Sequence, residues 1–138
     1  MAGILTNLGE TRMLSLIAAA TSGYVTGDPV ANKLKLFQNN VAETEAYTST
    51  DLTEATFTGY AAVTLTGSSA TVTAGAPSSI AWPQVTFTCS AATSQSIYGY
   101  HITSSTGILI AMEVFDDGPY VVTNNGDAIK VTPTITQD

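Results

Sequence analysis

The sequence is short of charge. Only 11 % of its 138 residues are Asp, Glu, Lys or Arg, against about 25 % in ordinary soluble domains. Positive charge is scarcer still, with four basic residues to eleven acidic ones and a net charge of −7. Arg12, Lys33, Lys35 and Lys130 are scattered along the chain. Neutralising a run of phosphates needs clustered Lys and Arg, so direct binding to nucleic acid or to an anionic membrane is not expected. The single cysteine, Cys89, cannot form an internal disulfide. With one His and one Cys a zinc site is excluded. No run approaches the roughly 20 apolar residues that span a bilayer. The N-terminal apolar run has no basic stretch before it, so no secretory signal is expected.

What is present is apolar and hydroxylated. Hydrophobic residues make up 44 % of the chain, enough to fold around a core. Thr is the commonest residue and Ala follows closely. A surface of Thr, Ser, Ala and Gly is easily dehydrated because few ions must leave water. That composition favours a subunit packed against neighbours, although extended strands with an exposed polar face would give it too.

The length suits one domain, 1–138. Residues 7–20 read as its one helix. Asn7 and Glu10 form a variant capping box, and Leu8, Met13, Leu16, Ile17 and Ala20 recur near helical spacing. Thr21-Ser22-Gly23 ends it. Residues 33–136 then read as strands. Leu34–Phe37 is the first, and the acidic segment 40–55, with Glu43, Glu45, Asp51 and Glu54, reads as an exposed loop without a core position. Alternation from Phe57 to Thr66 predicts a continuous strand. Further strands are expected at Ala70–Thr73, at Val85–Cys89 after Trp82-Pro83, and at Ile97–Thr103. Ile108–Phe115, apolar on both faces except for Glu113, should be central. Tyr120–Val122 is expected to pair with Ala128–Ile135 across Asn124-Asn125-Gly126-Asp127. Pro133 puts that last strand at an edge or its end. The fold class is therefore all-β, a β-sandwich or jelly-roll-like domain of seven or eight short antiparallel strands with one short N-terminal helix.

Chemistry-bearing groups are few. His101 is placed on a partly exposed strand face, opposite Tyr98 and Tyr100. No G-x-S-x-G elbow announces a serine nucleophile, and the spacing of Cys89 from His101 carries no specificity. Cys89 reads as a small buried hydrophobe. Glu113 is a carboxylate in an apolar strand, read as an ion-pair partner of Lys130 or Lys35. Asp116, Asp117 and Asp127 could offer oxygen ligands to calcium, but acidic residues are common in turns for conformational reasons. Gly67-Ser68-Ser69 lacks the lysine of a phosphate loop. Trp82, Tyr98 and Tyr100 could stack on a sugar, yet strand aromatics usually pack. No catalytic, cofactor or metal residue is assigned, and the chain is not read as an enzyme.

The order of these segments resembles small virion proteins encoded among the head and tail genes of tailed bacteriophages. The likeness rests on the helix, Leu34-Lys35-Leu36-Phe37-Gln38-Asn39, Leu52-Thr53-Glu54-Ala55-Thr56-Phe57-Thr58-Gly59-Tyr60, Ile97–Thr103 with Leu109–Phe115, and Val131-Thr132-Pro133-Thr134-Ile135. It spans most of residues 5–136 and implies a β-sandwich subunit of the phage particle. The task it implies is decorating or cementing the capsid shell, as a homo-oligomer, a trimer for preference, bound to the major capsid protein or another virion protein. A tail or fibre component that binds a host receptor or carbohydrate is the alternative. The resemblance implies a protein made in the host cytoplasm and located in the virion, with no catalytic residues. Candidate partner contacts are Leu8, Met13, Leu16 and Ile17 on the helix, and Glu43 and Glu45 in the acidic loop.

Overall fold

A computed structural model describes residues 3–6, 9, 31–66, 70–73 and 78–137. The expected helix at 7–20, with Leu8, Met13, Leu16 and Ile17, lies outside them apart from Gly9. The described residues are nearly all β and form several antiparallel sheets. Their twelve strands are β1 (Ile4–Leu5), β2 (Ala31–Phe37), β3 (Val63–Thr66), β4 (Thr71–Thr73), β5 (Ser78–Ala81), β6 (Val85–Thr88), β7 (Gln95–Ile97), β8 (Gly99–Thr103), β9 (Leu109–Val114), β10 (Tyr120–Val122), β11 (Ala128–Val131) and β12 (Thr134–Gln137).

The largest sheet has five strands in the order β1-β9-β8-β2-β3. Alternation in Lys33-Leu34-Lys35-Leu36 sets its two faces. Register places Leu36 beside Tyr100 and Glu113, and Leu34 beside Ile102 and Ala111, on one face. Lys35, His101 and Met112 form a row on the other, as do Phe37, Gly99 and Val114. The first face packs in a cluster with Leu65, Phe87, Ile97, Val122, Ile129 and Val131. On the second, Phe37, Leu109 and Met112 pack with Leu52, Val41 and Tyr47. Each fully buried aliphatic or aromatic side chain contributes roughly 1.5–3 kcal/mol. With both faces covered, every residue of β8 is buried and no alternation in exposure remains.

Gly99 follows from this packing. A Cβ there would collide with the Phe37 ring and the Glu113 carbonyl. At the far end of the β8–β9 pair, register shifts between Ile102 and Thr103, leaving Ile110 as an extra residue. Thr6 satisfies the disturbed backbone: its hydroxyl donates to the Leu109 carbonyl at 2.7 Å, and its N–H donates to Ile110 at 2.9 Å. Residues 3–6 are thus part of the sheet, and a truncation at residue 20 would remove a strand along with the expected helix.

Residues 85–97 and 120–131 form one long antiparallel ribbon, interrupted in the middle. Val85 pairs with Val131 and Thr88 with Ala128, while Gln95 pairs with Val122 and Ile97 with Tyr120. Between the halves, Cys89 N–H donates to Asp127 O at 2.8 Å and Thr93 N–H donates to Thr123 O at 3.0 Å. This corrects the expected hairpin. The 123–127 loop is stapled to the end of β6 by Gly126 N–H on Cys89 O (2.8 Å), so β10 and β11 pair with β7 and β6 instead of with each other.

Other expectations also change. The 57–66 strand is interrupted, because Gly59 has φ 92° and Tyr60 N–H closes a turn onto Phe57 O at 2.9 Å. Pairing begins only at Val63. The 97–103 strand divides at Tyr98, whose N–H donates to Phe37 O while its carbonyl accepts from Phe115 N–H. The last strand divides at buried Pro133, which has no N–H to give. These interruptions are why more, shorter strands occur than the pattern predicted. Residues 40–55 are not wholly exposed either. Asp51 Oδ2 accepts Thr48 N–H at 2.7 Å, making a turn that sends Leu52 and Ala55 into the interior. Ala55 N–H then bonds Leu36 O (2.9 Å) and covers the free side of β2.

Candidate functional site

Three polar groupings stand out. The first is Tyr100–Glu113, projecting from neighbouring strands into the covered face of the large sheet. Tyr100 Oη donates to Glu113 Oε2 at 2.8 Å and accepts the Thr134 N–H at 3.3 Å, tying β8, β9 and β12 together. Glu113 is 9 % exposed. Desolvation pushes its carboxyl above the usual range against the lowering effect of the Tyr100 bond, and the charges of Glu43 and Asp116 add to the rise. Burial likewise pushes the Tyr100 phenol up. The expected ion pair of Glu113 with Lys130 or Lys35 is not formed. A short tyrosine bond at the same level of the sheet satisfies the carboxylate, and Lys35 is taken by Glu54.

The second is His101, in the middle of the opposite face. It is 2 % exposed, not partly exposed as expected, because β8 is covered on both sides. Its Nδ1 has no hydrogen-bond partner, and its ring lies 6.2 Å from that of Phe37. Its pKa is lowered to about 4, by burial first and then by the Lys35 charge, against a smaller rise from Glu54. The imidazole is therefore neutral at pH 7 and can offer a lone pair or a proton only inside a closed layer. Cys89 belongs to the core on the other face of the sheet, so the two do not form a nucleophile–base pair. The Cys89 thiol is fully buried and donates to Ala91 O at 2.9 Å.

The third is a clasp at the edge of β2. Glu54 Oε2 meets Lys35 Nζ at 2.8 Å, and Tyr60 Oη donates to Glu54 Oε1 at 3.0 Å while accepting Leu36 N–H at 3.1 Å. Gln95 Oε1 takes the N–H groups of Thr56 and Phe57, and its Nε2 donates to Gln38 Oε1 at 3.0 Å. These bonds fix residues 53–57 across the gap between β2 and β7. The hidden polar roles of Gln95, Tyr60 and Glu54 were not legible from periodicity.

Of the acidic candidates, Glu45 is exposed. Glu43 turns inward, its Oε1 accepting Val114 N–H at 2.8 Å where β1 no longer covers β9. Asp127 Oδ2 caps its own turn, accepting Thr123 N–H at 2.8 Å and Asn124 N–H at 2.7 Å. Those bonds hold its carboxyl below the usual range. Among the described residues, no three His, Cys, Asp or Glu side chains gather closely enough to hold a metal ion. Trp82 and Tyr100 are buried and do not form a stacking platform with Tyr98. The exposed large apolar side chains among the described residues are Tyr120 and Val121.

Comparison of the chain with protein-family models, curated proteins and solved structures returns no match.

Proposed function

We propose that the chain is a structural subunit of a bacteriophage virion, a decoration or cement protein that stabilises the head shell. The observation that supports this most is where the scarce charge goes. Glu43, Glu54 and Glu113 are each occupied by a bond inside the fold, Asp51 and Asp127 cap turns at the surface, and Glu45, Asp116, Asp117 and Lys130 are exposed. What remains outside is rich in hydroxyls, such as the exposed Thr53, Thr56, Thr58, Thr86, Thr88 and Thr132. Such a surface gives up water at little cost when a neighbour covers it. In this reading the five-stranded sheet and the interrupted ribbon are the two layers of a β-sandwich, with the core between them. The subunit acts as a homo-oligomer, a trimer for preference, on the major capsid protein or another virion protein. Leu8, Met13, Leu16 and Ile17 supply apolar contact area and Glu45 an acidic contact. Glu43 joins it only by releasing Val114.

Binding confined to the assembled shell stabilises it by mass action, about 2.7 kcal/mol per site at a hundredfold excess over Kd. The test is sedimentation of the purified chain alone and with purified phage shells, followed by electron microscopy of the particle. A trimer that pellets with shells supports the proposal. A stable monomer that ignores them refutes it. Exposed Tyr120 favours a second reading, a tail or fibre component that binds a receptor or carbohydrate, which a glycan array distinguishes.

A further inference from the structure

Strands β10 and β11 and the turn between them line an open groove of about 480 Å³. Among the described residues the lining includes none from β6 or β7, their hydrogen-bonded neighbours, and no described strand pairs with the other edge of β10 or β11. Exposed strand edges are templates for another strand. Here the edge also carries Tyr120 and Val121, 44 % and 55 % exposed. Lys130 is exposed in the same groove, and Lys35–Glu54 is the one ion pair among the described residues. Asp127, the carboxylate nearest in the lining, has Oδ2 committed to Thr123 and Asn124.

We propose that this groove takes an extended strand of another polypeptide, with an acidic side chain opposite Lys130 and apolar side chains against Tyr120. Backbone bonds to the open edge would supply affinity, and alternate side chains would supply specificity. A second copy of this chain fits poorly. Paired edge to edge, its groove would bring Lys130 the carboxylate of Asp127, which is already committed to Thr123 and Asn124. The inference stands apart from the virion reading and holds for any partner with such a segment.

The test uses the isotope-labelled full chain and three blocked octapeptides: valine alternating with glutamate, valine alternating with lysine, and the glutamate peptide with alternate backbone nitrogens methylated. The glutamate peptide is expected to shift the amide signals of residues 120–122 and 128–131 and slow their hydrogen exchange at least tenfold. The lysine peptide should bind at least tenfold more weakly, and Lys130→Glu, checked for folding by circular dichroism, should reverse that order. No response to the glutamate peptide overturns the proposal. Equal binding of the methylated peptide overturns strand addition. Concentration-dependent self-association that perturbs the same amides makes a second copy the occupant and overturns it as well.

Discussion

Replacing Tyr100 by Phe removes one oxygen and leaves the packing of the ring in place. That oxygen donates to Glu113 Oε2 at 2.8 Å and accepts from Thr134 N–H at 3.3 Å. A hydrogen bond to a charged acceptor is worth about 1.5–3 kcal/mol, and the longer neutral bond stands at the low end of about 0.5–1.5 kcal/mol. Tyr100→Phe should therefore cost roughly 2–4 kcal/mol at pH 7. The cost should depend on pH. The folded state holds Glu113 above its ordinary range, so between the unfolded and folded values the native protein binds more protons. Stability from this group is then greatest at low pH and falls as pH rises through that window. The Tyr100 bond opposes the rise, so losing it carries the window higher. At pH 4, with the carboxyl protonated, only neutral bonds are lost and the cost should shrink to about 1–2 kcal/mol. Urea unfolding at pH 4 and pH 7, followed through the fluorescence of Trp82, the single tryptophan and a buried one, measures both values. Equal losses at the two pH values would show that the carboxylate–phenol bond is not what Tyr100 supplies.

His101 has the opposite sign. Its pKa is lowered from 6.5 to about 4 in the fold, so its contribution is complete above 6.5 and is lost as pH falls from there towards 4, by on the order of 3 kcal/mol. The imidazole resonances should titrate far below 6.5, and His101→Phe should flatten the acid limb of the stability profile. Gly99→Ala should destabilise by at least 1–3 kcal/mol in chemical denaturation, because the new methyl meets the Phe37 ring and a backbone carbonyl with no room to shift. Cys89, fully buried, should react with a thiol reagent only as fast as the chain unfolds. Rapid labelling of the native protein would contradict its place in the core.

Period and composition alone determined the class of fold. Lys33-Leu34-Lys35-Leu36 had to present two unlike faces, and Val85, Phe87 and Cys89 had to share a side, because a strand alternates whatever lies next to it. The structure keeps both, with Leu34, Leu36, Phe87 and Cys89 in one core. Pairing was another matter. Asn124-Asn125-Gly126 reads locally as a hairpin, but long-range bonds to Cys89 turn the two flanking strands towards different partners. His101 and Glu113 illustrate the same limit. Each stands in a strand whose sequence shows one polar side chain and nothing of its company. Their burial, and with it their protonation, is set by chain segments tens of residues away that close over the two faces of the sheet. Local geometry is written in neighbouring residues, whereas solvation is a property of the whole packed molecule. Within an unbroken strand the side to which a residue points was legible in advance. The break at Tyr98, however, sends Ile97 to the Tyr100 side and Tyr98 to the Phe37 side, the reverse of the expected alternation. What covers each side was decided only by the tertiary structure.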